Sequence, residues 1–262
     1  MSKSLLSRAL RAGFLAFGLA WSGLAWLGPA TAGTLLSPGM AVLIKKSVEP
    51  FGQPTAMLFD GGLHQKWHSL QRRLDDDLVQ LALCEGDRER CVSPAALQFL
   101  AIVDAARLRE GRARLGEVNR AINLAVHPVS DLAQYGQVDF WAAPLGTLTR
   151  GGDCEDYAIA KLVALRLAGI APDNLRIVIM RDTRGEDHAV AAARLDGHWL
   201  TLDNRTMAMV EDSDIRNFRP TFVIDQHNVM RYADAPLLAT ASRSHQEALA
   251  IIRSPAAPTK AN

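Results

Sequence analysis

Apolar residues upstream of Gly169 recur at steps of three and four, whereas downstream they fall in short strand-length runs. That change of period excludes both a plain helical bundle and an all-β barrel. Leu63, Trp67, Leu70, Leu74, Leu78 and Leu81 mark a helix over 63–83. Ser93-Pro94 opens a second, with proline at the first helical position and Leu97, Leu100, Ile102 and Val103 on its stripe. After Gly111, the residues Leu115, Val118, Ile122 and Val126 carry a third as far as Pro128. A fourth runs from Cys154 to Ala168. Strands are expected at 175–180, 188–195, 198–203 and within 221–233. Helices first and antiparallel strands after predict an α+β fold. Residues 129–152, with Tyr135, Phe140, Trp141 and Pro144, read as a long connection, and a loop of that size in a compact domain commonly lines a site.

The first residues read as an address. Lys3, Arg8 and Arg11 precede an uncharged apolar run over 12–27, then Gly28-Pro29 and the small-x-small triplet Ala30-Thr31-Ala32. This predicts a cleaved secretory signal peptide over 1–32; the apolar block is short for a membrane anchor. A flexible leader is expected over 33–59, the folded domain over 60–253 and a frayed tail over 254–262. The whole chain carries 29 basic and 28 acidic residues in 262, a balance that excludes a strongly basic nucleic-acid binder.

Export makes the odd cysteine count informative. Cys84 and Cys91 are separated by six polar or small residues and are suited to a short disulfide staple, which leaves Cys154 as a free thiol in an oxidising compartment. In Gly151-Gly152-Asp153-Cys154-Glu155-Asp156, Asp153 is placed as N-cap with Asp156 as its capping-box partner. Cys154 then sits at a helix N-terminus, where unsatisfied N–H groups favour a thiolate. Its own N–H is one oxyanion donor, and the Trp141 loop is the expected source of a second.

Leu195-Asp196-Gly197-His198 carries the signature of a two-residue hairpin. With Leu195 opposite His198, Asp203 falls opposite Val190, diagonal to His188 on the same face at roughly 7 Å between Cβ atoms. His198 falls on the other face. Cys154 as nucleophile, His188 as base and Asp203 as orienting acid follow from this register.

The blocks FWAAPLGTLTRGGDCEDYAIAKLVALRLAGI (140–170) and DHAVAAARLDGHWLTLDN (187–204), with VNRAINLAV (118–126) more loosely, resemble the bacterial transglutaminase-like cysteine peptidases of the periplasmic, adhesin-releasing LapG type. The resemblance implies a papain/transglutaminase-like fold, with the cysteine helix packed on an antiparallel sheet, and a triad on Cys154, His188 and Asp203. It also implies a periplasmic location, an exported or outer-membrane-associated protein substrate, an inner-membrane regulatory receptor, and calcium held by Asp153, Glu155 and Asp156. Calcium has a separate physical motive, because three carboxylates beside a thiol oppose its ionisation and a hard cation removes that repulsion. One departure is Gly146, where LapG-type proteins carry an acid. The triad is compatible with peptide hydrolysis, and also with transglutaminase or amidase chemistry; a noncatalytic exported module is the third reading.

Overall fold

The structure, a computed structural model, describes residues 47–233. The expected signal peptide, the first part of the leader, the end of the domain beyond 233 and the tail lie outside the described residues. In chain order the elements are β1 (Thr55–Leu58), α1 (Gly62–Gly86), α2 (Pro94–Arg107), α3 (Gly111–Ala125), α4 (Asp131–Tyr135), α5 (Pro144–Arg150), α6 (Cys154–Leu167), β2 (Leu175–Asp182), β3 (Asp187–Leu195), β4 (His198–Leu202), β5 (Val210–Glu211), β6 (Phe218–Ile224) and β7 (Val229–Tyr232). The seven strands make one sheet in the order β1-β7-β6-β2-β3-β4-β5, and every paired neighbour is antiparallel. The fold is α+β, as the change of period predicts.

The helices gather on one face. Trp67, Leu70 and Leu74 of α1, Phe99 and Val103 of α2 and Leu115 and Ile122 of α3 share a core with α6 and with Ala189, Ala191, Ala193, Leu200 and Leu202 of the sheet. Helix α6 is buried from Asp156 through Leu165, as a helix enclosed on all sides must be. It packs on β3, where the run of alanines lets helix and strand backbones approach. The opposite face carries a second cluster, including Val178, Val190, Trp199 and Tyr232, with Phe51 packed against it.

Two expectations are corrected. The flexible leader over 33–59 is structured where it is described: β1 pairs with β7, and the preceding segment crosses the second face. There the Trp199 indole donates to the Val48 carbonyl at 2.9 Å, and Glu49 receives Arg176 bidentately at 2.6 and 3.0 Å. Strand β1 is four residues long, too short to show alternation. The long connection over 129–152 holds α4 and α5, whose five and seven residues cannot establish a helical stripe. The Ser93 cap forms as expected, its hydroxyl accepting from the Ala96 N–H at 3.2 Å.

Cys84 at the end of α1 is bonded to Cys91, and Cys154 is free. Loop-closure entropy for so short a ring is about 2.5 kcal/mol. Reduction is therefore expected to lower Tm by roughly 5–10 °C at this size, measured by calorimetry with and without a thiol reductant.

Candidate active site

The nucleophile's setting is built by glycine and backbone before any side chain acts. Gly151, at φ 92°, ends α5 in a conformation that other residues rarely adopt. Gly152 donates to the His127 carbonyl at 3.0 Å, and its own carbonyl accepts from Val129 at 3.1 Å, so the glycine pair is stitched to the segment after α3. A Cβ on Gly152 would overlap the Asp156 carboxylate. Gly152→Ala is accordingly expected to displace that carboxylate and cut Cys154 alkylation by iodoacetamide, with a loss of stability of about 1–3 kcal/mol, read by thiol mass labelling beside a thermal melt.

Asp153 is the N-cap residue of α6, but its side chain makes no cap hydrogen bond. The Asp153 side-chain half of the expected capping box does not form. Asp156 is also recruited elsewhere, its Oδ1 accepting from the Ala142 N–H at 2.7 Å. It thereby pins the Trp141 loop, which Arg73 also holds through the Trp141 carbonyl at 2.8 Å. Asp77 of α1 accepts from the Leu145 N–H at 2.8 Å and so caps α5.

Cys154, His188 and Trp141 line one cavity of about 540 Å³, with Leu63, Ile179 and Phe222 as apolar walls. The Ala189 N–H points at Cys154 Sγ from 3.4 Å, and the thiol donates to Glu155 Oε2 at 3.1 Å. The hairpin has the expected register, with Leu195 opposite His198 and Ala191 opposite Leu202. One residue further, Asp203 Oδ1 lies 2.9 Å from His188 Nε2. The imidazole is almost wholly buried, and its Nδ1 has no hydrogen-bond partner. Burial works to raise the Asp203 pKa, but hydrogen bonds from His188 and the Arg205 N–H outweigh it and hold the acid below the usual carboxylate range. An ionised Asp203 fixes the proton on Nε2 and leaves the Nδ1 lone pair available. His198 stands apart, exposed and 3.4 Å from Glu211. A larger hollow of about 930 Å³ on the second face contains His198 but no cysteine.

The acids around the thiol are more numerous than the sequence indicates. Asp131 and Asp139, both in the 129–152 connection, join them. Among the described residues, Asp131, Asp153 and Asp156 bring one oxygen each within 4.8 Å of one another; Asp131, Asp139 and Glu155 form a second such group, and Asp153, Cys154 and Glu155 a third. The expected trio Asp153, Glu155 and Asp156 does not make a group by itself; Asp131 links its members. Nothing in the local sequence of Asp131 marks it, beyond its place in a long connection next to the nucleophile.

The first group has the oxygen donors of a cation site. Asp131 Oδ1, Asp153 Oδ1 and Asp156 Oδ2 are all buried without a hydrogen-bond partner. Burial pushes the Asp156 carboxyl up to about 8, with the Asp153 and Asp131 charges adding to it. Burial and then Asp153 push Asp131 up to about 6, and burial, with the hydrogen bond that the protonated Glu155 donates to Asp153, takes Glu155 up to about 9. The Cys154 thiol is raised as well, by burial first and the Glu155 charge next, against the Ala189 N–H. An oxygen-only set of this kind suits a hard divalent ion rather than zinc.

Residues 79–223 match the family described as bacterial transglutaminase-like cysteine proteinase, BTLCP. The chain belongs to this family. It is a cysteine peptidase of the transglutaminase-like type. Among solved structures, calcium-bound LapG from Legionella pneumophila is 20% identical, with a TM-score of 0.49 over 63% of this chain and 98% of LapG. A second LapG structure from the same organism gives 20% identity and 0.47 over 74% and 97%, and an EGTA-treated one 20% and 0.48 over 70% and 90%. No curated protein sequence matches the peptidase. None of its described helices is long and apolar enough to cross a membrane.

Proposed function

We propose that the peptidase is exported to the periplasm and hydrolyses a peptide bond in an exported or outer-membrane-associated protein, through an acyl-enzyme on Cys154. The observation that carries this reading is the arrangement of His188, which lines the same cavity as Cys154 and is bonded through Nε2 to Asp203, while its buried Nδ1 is left unpartnered. Nδ1 takes the thiol proton, and Sγ attacks the scissile carbonyl carbon. The oxyanion is met by the Cys154 N–H, one of the first helical N–H groups that have no partner within the helix. Collapse of the tetrahedral intermediate breaks the C–N bond, and the imidazolium gives its proton to the leaving amine. A water activated by the same Nδ1 then hydrolyses the thioester.

Calcium fits the acids beside the thiol, with Asp131, Asp153 and Asp156 as the residues that would hold it and Glu155 at its edge. When bound, it supplies fixed positive charge that offsets the repulsion between these carboxylates and a thiolate. The exported location rests on the basic, apolar and small-residue pattern of 1–32. An inner-membrane receptor as regulator belongs to the same reading and rests on the resemblance alone.

The test is incubation with a panel of exported bacterial proteins, with and without calcium, reading fragments and crosslinks by mass spectrometry. Calcium-dependent fragments lost in Cys154→Ala are expected. Crosslinked products without fragments would instead assign the acyl-enzyme to transglutaminase chemistry.

A further inference from the structure

Building on the proposed role of Asp203, we propose that Asn119, Asn123 and Lys161 are positioning residues for this acid, holding the backbone of residues 202–207 so that its carboxylate stays on His188 Nε2. The β3–β4 ladder cannot do this, because its last pair is Ala191 with Leu202 and Asp203 is the first residue beyond it. Donors from two helices take over. Lys161 Nζ donates to the Leu202 carbonyl at 3.2 Å. Asn123 Nδ2 donates to the carbonyls of Asp203 and Thr206 at 3.0 and 3.1 Å. Asn119 Nδ2 donates to those of Thr206 and Met207, both at 3.2 Å. The two asparagines are one turn apart on α3 and present their amides side by side. Each amide nitrogen spends both of its hydrogens on this segment.

Burial makes the arrangement costly unless it serves a purpose. Asn119 and Lys161 are fully buried, in a core where an apolar side chain would avoid the desolvation of an amide or an ammonium. Lys161 also lies seven residues, two helical turns, after Cys154 on α6. One helix thus carries the nucleophile at its start and grips the carbonyl next to the acid two turns on, which sets the distance between the ends of the triad. The asparagines fix the rotation of the same segment. The Asp203 side chain is then held at its tip, where Oδ1 accepts from the Arg205 N–H at 2.9 Å as well as meeting His188.

The test uses Asn123→Ala, a half-buried helical position where alanine favours the helix, with Asn123→Ser as a second variant that cannot span both carbonyls. Turnover is followed with 4-nitrophenyl acetate, and the His188 Nε2–H proton by NMR as a downfield resonance present in the wild type and absent in Asp203→Asn. Asn123→Ala is expected to lower kcat on the order of 10–100-fold, with KM unchanged and the resonance weakened or broadened. In the double variant with Asp203→Asn the losses should not add, because the asparagine acts only through the acid. An unchanged resonance, or losses that add in the double variant, overturns the proposal. A wild type that neither turns over the ester nor acylates at Cys154 would sink the peptidase reading instead, and the resonance alone would then decide the positioning role.

Discussion

Cys154→Ala is expected to remove peptide cleavage by on the order of 10⁴–10⁶ while leaving a folded protein. The thiol is the covalent nucleophile of the proposed mechanism, and no other cysteine can replace it, since Cys84 and Cys91 are bonded to each other. The substitution costs the fold little. Cys154 is partly buried and the hydrogen-bond partners of its Sγ are the Ala189 N–H and the Glu155 carboxylate, the second of which competes with ionisation. His188→Ala should fall nearly as far. Asp203→Asn should lose about 10²–10⁴, because an amide can no longer hold the Nε2 proton in the reactive tautomer. Cleavage is measured by fragment mass spectrometry and folding by circular dichroism. Activity comparable to wild type in a folded Cys154→Ala protein would exclude the covalent mechanism.

The parts of this site legible in the sequence are those set by local rules. Gly152-Asp153-Cys154 announces a helix start, and the Asp196-Gly197 turn fixes a register in which His188 and Asp203 become neighbours. Both inferences need only a few residues and a known period. The same local reasoning is incomplete for the Asp153–Asp156 capping box: the Asp153 side chain makes no cap bond, and Asp156 also meets a tertiary demand, as acceptor for the Ala142 N–H of the Trp141 loop. Asp131 was invisible for a related reason. It reaches the nucleophile's helix through a connection whose path depends on α4, and a five-residue helix leaves no periodic trace. Strand β1 is a third case. Its partner, β7, lies more than 170 residues later, and no pattern in Thr55–Leu58 anticipates that pairing. Long-range pairing, not propensity, set what the sequence concealed.

Removing calcium should make the protein's stability fall with rising pH, and restoring it should cancel that fall. Without a cation, the folded carboxyls of Asp156 and Glu155 bind their protons up to about 8 and about 9, whereas unfolded carboxyls release them near 4. The folded state therefore holds more protons across this interval. A group raised in this way contributes its full stability below the unfolded value and loses it as pH climbs through the folded one. The metal-free protein should accordingly melt higher at pH 5 than at pH 8. With relaxation and water entry discounting most of the shift, a difference of about 2 kcal/mol survives, or ~4–8 °C in Tm. Calcium bound to the ionised acids, as proposed, should cancel that preference. At a free concentration about 100 times its Kd it adds about 2.7 kcal/mol at pH 8 and much less at pH 5, where protons occupy the same oxygens. Magnesium should do so poorly, since its octahedral shell fits an irregular set of protein oxygens less well. Scanning calorimetry at both pH values, in chelator, calcium and magnesium, reads all of these effects, and Asp131→Asn should weaken the calcium response without touching the triad. Equal melting temperatures with and without calcium at pH 8, together with no metal by elemental analysis, would leave Asp131, Asp153 and Asp156 as a buried acid cluster with no cation to hold.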